Sequence, residues 1–263
     1  MMNIYTIFQR LTEKIKLYRT GYLPDQQGIM NRYYNEQESW NAHLSKSKDF
    51  ILKSAKDKNK GKVVVLGSGW LLDLPLDELS SQFEEVVLID INHPKPVLHK
   101  IKKYSNVYAV NADITGGLIE LFYSNRKKLK KENSLILPIN QYQFHLPNDA
   151  DFVISLNILC QLHIILIDYL KKIIASDSID YSLLEKQIQE SHLNILPKNK
   201  TCIITDIEEE IISPEDVLIG VNPLLHIKLP EGNFSEQWQW KFDNRMTYRD
   251  DAKTYFNTKA IDF

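Results

Sequence analysis

The fold is decided by Lys62-Val-Val-Val-Leu-Gly-Ser-Gly-Trp70, where an uninterrupted apolar run meets two glycines. A continuous run of this kind, rich in β-branched residues and ending at glycine, predicts a strand buried on both faces of a parallel sheet. Glycine lets the backbone turn sharply and lets a ligand approach without interference from a Cβ. The alternative interpretation is that Gly67 and Gly69 only form the turn between a strand and a helix.

A second apolar run, Val86 to Ile89, ends at Asp90. In open α/β sheets, an acidic residue at the tip of the second strand, about 20 residues beyond the glycine loop, holds the hydroxyls of a ribose. The two strands together therefore predict a pocket for a cofactor that contains adenosine. Asp90 alone would also suit the capping position of the next helix.

The rest of the chain alternates between predicted strands and predicted helices. We expect strands at 62–66, 86–90, 106–110, 151–156 and 201–206, and helices near 76–83, 94–103, 116–130, 157–175 and 181–195. This alternation predicts an α/β fold with a doubly wound, mostly parallel sheet in residues 61–263 and a helical insertion near 160–198. Two C-terminal segments, 238–242 and 254–263, predict an antiparallel pair at the end of the sheet.

Residues 1–60 differ from the rest and predict helices. Gly21 to Pro24 is expected to end the first helix, and a second helix is expected over Tyr33 to Lys56. The aromatic residues of this segment suit either a packing face against the main domain or a lid over a binding site. In a lid, Arg32 would pair as a planar fork with the carboxylate of a cofactor or with an acidic acceptor.

Composition limits the class of protein. The 263 residues are 43% hydrophobic and 25% charged, as in ordinary globular proteins, and the net charge of −2 gives no general attraction to nucleic acid or to anionic membranes. Cys160 and Cys202 lie in apolar runs, which indicates buried thiols in a reducing compartment and neither a disulfide nor a metal site. The charged N-terminus does not look like a signal peptide, so we expect a cytoplasmic protein. We also expect no metal ligands.

Taken in order, these motifs resemble the class I S-adenosylmethionine-dependent methyltransferases over about residues 60–263. In that family the glycine loop wraps the methionine part of the cofactor, and an acidic residue binds the ribose. The third strand is followed by an acidic residue near adenine, and the fourth ends in polar residues that face the methyl group. The resemblance implies a Rossmann-like sheet with an antiparallel last strand, S-adenosylmethionine as the cofactor and S-adenosylhomocysteine as its product.

The resemblance carries over to positions of this chain that match those motifs. The implied cofactor contacts are Gly67, Ser68, Gly69, Trp70, Asp90, Ile91, Asn92, Asp113, Ile114, Ser155 and Asn157, with Arg32 added from the lid. The candidate catalytic residues are Asn157, His163 and Asp206. Each of these residues also has a purely structural interpretation: Asp113 could stabilise a turn, Asn157 could be a helix N-cap, and His163 could be a helix residue whose hydrogen bonds are made within the protein.

Two positions depart from the family pattern. Val65 stands where an acidic residue is usual, and Leu71 stands where a third glycine is usual. Asp73 is a candidate to replace the missing carboxylate. The departures leave open a non-catalytic module that only binds the cofactor.

A nicotinamide-dependent oxidoreductase is the other alternative. Its G-x-G-x-x-G fingerprint would place the third glycine at Leu72, and its pyrophosphate needs a helix N-terminus directly after the loop. We expect the helix to start late, near Asp77.

The fourth strand lacks the Asn/Asp-Pro-Pro-Tyr motif of base-methylating enzymes, so a small-molecule or protein acceptor is favoured over nucleic acid. Methyl transfer would be an in-line displacement.

Overall fold

The computed structural model describes residues 4–135, 139–175 and 179–263, so part of the predicted N-terminal segment (1–3) and of the predicted insertion (176–178) lies outside it. The helices are α1 (Ile4–Thr20), α2 (Tyr22–Ala55), α3 (Leu76–Gln82), α4 (Lys95–Ile101), α5 (Leu118–Glu132), α6 (Ile164–Ile173) and α7 (Ser182–Asn194). The strands are β1 (Lys62–Leu66), β2 (Glu85–Asp90), β3 (Val107–Asn111), β4 (Phe152–Leu156), β5 (Thr201–Ile212), β6 (Leu218–Pro223), β7 (Phe234–Asp243) and β8 (Lys253–Asp262).

The strands form one sheet in the order β3-β2-β1-β4-β5-β8-β7, with β6 paired to the far half of β5. The first five strands in this order are parallel, and β8 lies antiparallel between β5 and β7. The expected doubly wound, mostly parallel sheet with an antiparallel last strand is therefore confirmed. The sequence pattern gave no indication of β6, and β5 extends to Ile212, beyond the predicted range 201–206.

Helices cover both faces of the sheet, which explains the continuous apolar runs. Along β1, Val64 and Leu66 pack with α5, α6 and α7, whereas Val63 and Val65 pack with α3, α4 and the end of α2. All four side chains are fully buried. Because both faces of the strand are covered at these four positions, none of the four could be polar without a buried partner.

The N-terminal helices differ in one respect from expectation. Gly21 alone separates α1 from α2, with a left-handed backbone (φ 104°), and α2 begins at Tyr22 and not at Tyr33. Pro24 is tolerated because it lies in the first turn of α2, where backbone N–H groups have no partner within the helix. A local break at Glu36 (φ −116°, ψ 21°) divides α2 into two halves.

The helix expected from residue 157 begins only at Ile164, so Asn157 is not its N-cap. Asn157 instead has a left-handed backbone (φ 48°) directly after β4. Cys160 and Cys202 are buried and unpaired, as the apolar runs indicate. No helix in the described part of the chain is both long and apolar enough to cross a membrane.

Candidate functional site

A cavity of about 210 Å³ lies at the carboxyl ends of the first four parallel strands and under α2. Its wall on the sheet side comes from the segments that follow β1, β2, β3 and β4, which is where open α/β sheets bind ligands. Predicted site residues that line it are Gly67, Ser68, Gly69, Trp70, Asp90, Ile91, Asp113, Ile114 and Asn157. Five other predicted site residues do not line the cavity: Asn92, Ser155, Arg32, His163 and Asp206.

The glycine loop after β1 is shaped by its backbone. Gly67 has a φ of 79°, and a Cβ at this residue would lie 2.8 Å from the carbonyl oxygen of Leu156 and 2.9 Å from Cβ of Ile158. No larger residue fits there without moving β4. Leu71, at the position where a third glycine is usual, also has a left-handed backbone (φ 60°). The sequence departs from the family pattern at Leu71, but the backbone keeps a conformation that favours glycine.

Asp90 ties the tip of β2 to the glycine loop. Its Oδ2 atom accepts a hydrogen bond of 2.7 Å from the backbone N–H of Gly69, and Oδ1 accepts a longer one of 3.5 Å from the N–H of Asn92. The backbone N–H of Ile91 also interacts with the carboxylate. Burial raises the pKa of Asp90, and these backbone N–H groups oppose that shift. Oδ1, whose measured hydrogen bond is the longer one, keeps capacity to accept a hydrogen bond from a ligand.

A buried histidine that sequence analysis missed supports the loop from the side. His93 lies between Ser68 Oγ, 3.0 Å from its Nε2 atom, and Asn111 Oδ1, 2.6 Å from its Nδ1 atom. Because an amide oxygen only accepts, Nδ1 carries the proton and Nε2 accepts from the serine hydroxyl. This chain of hydrogen bonds connects the ends of β1, β2 and β3.

Asp113 lines the cavity, but its carboxylate serves the local backbone. Oδ1 accepts from the N–H (2.9 Å) and hydroxyl (2.5 Å) of Thr115, and Oδ2 accepts from the N–H of Ile119 at 3.2 Å. These bonds satisfy donors at the start of α5, as the turn interpretation predicts. Burial raises the pKa of Asp113, and the same hydrogen bonds oppose the shift.

Asn157, Asp73 and His43 form a polar group at the end of β4. Asn157 Nδ2 donates to Asp73 Oδ2 at 2.7 Å and lies 3.3 Å from His43 Nε2. The His43 Nδ1 atom accepts from the indole N–H of Trp238 at 3.1 Å, so the proton of the neutral imidazole is on Nε2. Two donors therefore face each other in the cavity wall, and an acceptor atom of a ligand would satisfy them.

The charge states of this group follow from burial. Burial lowers the pKa of His43 to about 3, so the imidazole is neutral at physiological pH. Burial also raises the pKa of Asp73, an effect that the Asn157 amide partly offsets. The ring of His43 stacks on Trp240 with 4.0 Å between centroids, which fixes the direction of Nε2.

Three residues that line the cavity have buried polar atoms without a protein partner: Tyr22 Oη, Asn157 Oδ1 and Trp240 Nε1. Leaving a buried donor or acceptor unsatisfied costs about 1–3 kcal/mol each. Together with the Gly67 loop, which a Cβ would obstruct, these atoms fit a polar ligand that has both donors and acceptors.

The first half of α2 is held against the loops of the sheet. The indole N–H of Trp70 donates to the carbonyl oxygen of Gln26 at 2.6 Å, and the amide of Gln26 bonds both the side chain and the backbone of Asn92 at 2.8 Å. Asn92 therefore holds α2 and does not line the cavity.

This first half of α2 also contributes to the cavity lining, through Tyr22, Asp25, Gln26 and Ile29. They lie before Tyr33, where the sequence pattern placed the start of the helix.

The other predicted site residues have partners elsewhere. Ser155 is fully buried and bonds His192 at 2.8 Å beneath the sheet. The guanidinium of Arg32 lies 4.6 Å from the ring centroid of Phe242 and 4.9 Å from that of Tyr248. It is held by aromatic rings, which lie outside the cavity lining.

Asp206 is buried within β5, an interior strand of the sheet, where its Oδ1 atom accepts from the hydroxyl of Thr258 on β8 at 2.6 Å. Burial, with a further contribution from the charge of Asp73, raises the pKa of Asp206 to about 7, whereas its value in an unfolded chain is about 4. The folded protein holds this proton more tightly than the unfolded chain. The resulting stabilisation is complete below about pH 4 and is lost as the pH rises through about 7.

Asp206→Asn keeps an oxygen for Thr258 and removes the titration. We therefore expect the variant to gain stability relative to the wild type as the pH rises from about 5 to about 8. Urea unfolding across this range measures the difference, with Asp49→Asn, an exposed carboxylate on α2, as the control. A difference between variant and wild type that does not change with pH would contradict the assignment.

No protein-family model matches this sequence, and the comparison with curated proteins finds no similar one. Among solved structures, the N-methyltransferase NodS from Bradyrhizobium japonicum, in complex with S-adenosylhomocysteine, is similar with a TM-score of 0.40 at 10% identity, over 82% of this chain and 86% of that chain. The DhpI–SAM–HEP complex is similar with a TM-score of 0.37 at 11% identity, over 89% and 80%.

Proposed function

We propose that the protein binds S-adenosylmethionine in this cavity and transfers its methyl group to a small molecule or a protein. One observation carries the proposal: the ends of four parallel strands bring the glycine loop, Asp90, Asp113 and Asn157 around one cavity. These are the residue types, in the order along the chain, that the sequence resemblance implies. The proposal rests on this arrangement and on the polar atoms in the cavity wall that lack a protein partner.

Each lining residue has a proposed role. The loop Gly67–Trp70 would wrap the methionine part, and Asp90 Oδ1 would accept from a ribose hydroxyl, since only Oδ2 is fully engaged by the protein. Ile91 would flank the ribose. Asp113 and Ile114 would border the adenine, with Asp113 using acceptor capacity that its turn leaves over. We assign no cofactor contact to Ser155, Arg32 or Asn92.

Asp73 is our candidate for the carboxylate that Val65 does not supply. Val65 is fully buried among apolar residues on the opposite face of the sheet from α5, so a carboxylate at that position would need a buried partner. Asp73 lines the cavity. An ammonium group beside it would favour its ionised form against the burial that raises its pKa.

The proposed chemistry needs alignment more than a base. S-adenosylmethionine supplies a methyl group on a sulfonium, whose leaving group is already good, so a wall that excludes water and fixes the acceptor provides much of the rate. His43 Nε2–H and the amide of Asn157 would orient the acceptor atom. His163 and Asp206 do not line the cavity, and we assign neither a direct role in the reaction.

We further propose that residues 1–60 act as a lid over a domain formed by residues 61–263. Both halves of α2 line the cavity, with Tyr22 and Gln26 on one side of the break at Glu36 and Trp40 and His43 on the other. The break at Glu36 would let the first half of α2 move once the hydrogen bonds of Gln26 to Trp70 and Asn92 open, while the second half stays packed on β7.

A nicotinamide cofactor fits the loop less well. The helix after the glycines begins at Leu76, several residues beyond Gly69, so no helix N-terminus faces the loop to receive a pyrophosphate. The non-catalytic alternative keeps the same cavity and the same cofactor. Only turnover distinguishes it from the methyltransferase.

Titration calorimetry with S-adenosylhomocysteine and with NAD tests the proposal directly. We expect S-adenosylhomocysteine to bind at micromolar concentrations and NAD to leave that binding unchanged, because the loop lacks a pyrophosphate site. Mass spectrometry of small molecules retained by the purified protein gives an independent identification. Binding of NAD without binding of S-adenosylhomocysteine would overturn the proposal.

Turnover separates the two remaining functions. A coupled assay for S-adenosylhomocysteine release, run with a panel of metabolites and peptides, is expected to find an acceptor. Cofactor binding without release across the panel would favour the non-catalytic module.

A further inference from the structure

Outside the cavity, two histidines and a glutamate from distant parts of the chain lie together. His163 precedes α6, Glu185 lies in the first turn of α7, and His226 lies in the segment between β6 and β7. Their ligand atoms, one from each residue, all lie within 4.8 Å of one another. The pair formed by His226 Nε2 and Glu185 Oε2 is already at 2.9 Å.

We propose that His163, Glu185 and His226 form a binding site for one divalent first-row transition ion, with zinc the best fit. Two imidazoles and one carboxylate are a set of ligands that zinc uses with water at the fourth position. Imidazole nitrogen favours zinc and its neighbours over magnesium or calcium, which prefer oxygen ligands alone.

The geometry needs little adjustment to hold such an ion. Zinc bonds to nitrogen and carboxylate oxygen at about 2.0–2.2 Å, so ligand atoms in a tetrahedral site lie about 3.4 Å apart. Closing the observed separations requires each side chain to move by less than about 1 Å, which side-chain torsions can supply. When an ion binds at Nε2 of His226, the proton on that atom goes to solvent and Nδ1 carries the one proton of the neutral imidazole ligand.

Gln189 fixes the segment that carries His226, and its side chain also lies beside His163, with 3.5 Å between Gln189 Nε2 and His163 Nδ1. Gln189 is fully buried on α7, and its Oε1 atom accepts from the backbone N–H of His226 at 2.8 Å while its Nε2 atom donates to the carbonyl oxygen of Leu224 at 2.9 Å. Metal sites depend on such outer contacts to orient their ligands. The ring of His163 lies edge-on to that of His226, with 5.7 Å between centroids.

The exposure of the three side chains and their position outside the cavity also suit a metal site. The side chains of Glu185 and His226 are 20% and 32% exposed, whereas His163 is 8% exposed, so an ion can enter from solvent and still have one buried ligand. His163 does not line the cavity, although Leu162 and Ile165 beside it do. The ion would therefore fix one wall of the cavity by connecting α6, α7 and the segment after β6, and it would not touch the reacting atoms.

The test measures metal binding to the full chain and does not depend on the proposed function. We expect the protein, stripped with a chelator, to bind one Zn²⁺ in titration calorimetry and to bind Co²⁺ with the visible absorption of a low-coordinate site. Zn²⁺ should also raise the midpoint of thermal unfolding. Glu185→Gln and His226→Asn should each weaken Zn²⁺ binding by at least about tenfold, the size of effect seen when a site loses a supporting contact.

The controls address folding and non-specific binding. Circular dichroism checks that the variants fold, which we expect since Glu185 and His226 are partly exposed. His99→Asn removes an exposed histidine on α4 and should leave Zn²⁺ binding unchanged. Zn²⁺ affinity that is the same in His226→Asn and the wild type, or no binding by the wild type, would show that the cluster is only a hydrogen-bonded pair with a neighbouring histidine.

Discussion

Asp90→Ala is expected to weaken binding of S-adenosylhomocysteine by about 100-fold. Asp90 Oδ2 is engaged by Gly69 and Oδ1 is available in the cavity, so the carboxylate both shapes the loop and offers an acceptor. Hydrogen bonds to a charged group contribute about 1.5–3 kcal/mol, and each 1.4 kcal/mol changes affinity by about tenfold. Titration calorimetry with S-adenosylhomocysteine measures the loss.

Two controls separate loss of the ligand contact from damage to the loop. Asp90→Asn keeps an oxygen for the N–H of Gly69 but removes the charge, and we expect it to bind more tightly than Asp90→Ala and more weakly than the wild type. Asp49→Asn removes an exposed carboxylate on α2 and should not change affinity. Affinity within about threefold of the wild type in folded Asp90→Ala, well below the loss expected for a charged hydrogen bond, would refute the proposed ribose contact.

Trp40→Ala is expected to lower the free energy of unfolding by about 4 kcal/mol, since removal of a buried Trp or Phe side chain costs about 3–5 kcal/mol. Trp40 is 2% exposed, and its indole N–H donates to the carbonyl oxygen of Phe242 at 2.8 Å. Its ring packs on Trp240 at 4.9 Å and on Phe242 at 5.5 Å between centroids. These contacts attach the second half of α2 to β7, and urea unfolding measures the effect.

Tyr34→Ala is the matched control because Tyr34 is an aromatic residue on the same helix that is 62% exposed. We expect it to change stability by less than about 1 kcal/mol, as exposed substitutions generally do. Trp40→Phe retains most of the ring volume but loses the hydrogen bond, so its effect should lie between the two. Equal losses from Tyr34→Ala and Trp40→Ala would show that α2 is not anchored through Trp40.

Much of the main domain could be predicted from local patterns. The apolar runs that became β1, β2 and β4 are buried on both faces, and such strands carry a continuous signal that needs no knowledge of their partners. Gly67 was also predictable, because a strand that turns sharply against its neighbour leaves no room for a Cβ. The late start of α3 followed from Pro75, which the structure places directly before the helix.

Other features could not be predicted because their cause lies elsewhere in the chain. The start of α2 was missed since Pro24 usually ends a helix pattern, while here it occupies the first turn. The buried residue Glu36 gave no local signal, although its Oε1 atom accepts from the backbone N–H groups of Asn244 and Arg245 at 3.1 and 2.8 Å. His93 has a structural role only because β1 and β3 bring Ser68 and Asn111 to either side of it.

The sequence by itself determined the succession of strands and helices along the chain, the glycine loop and the acidic tip of β2, because each depends on residues that are close along the chain. Only the tertiary structure decided which polar residues share a cavity and which do not. Ser155 and Asn157 are two positions apart, yet one faces His192 beneath the sheet and the other reaches Asp73 in the cavity. The group of His163, Glu185 and His226 likewise has no local motif, since its members are brought together by the packing of α6, α7 and the segment after β6. The sequence specifies the chemistry of each side chain, but contacts between residues that are distant in the sequence determine which side chains are neighbours and therefore what each can do.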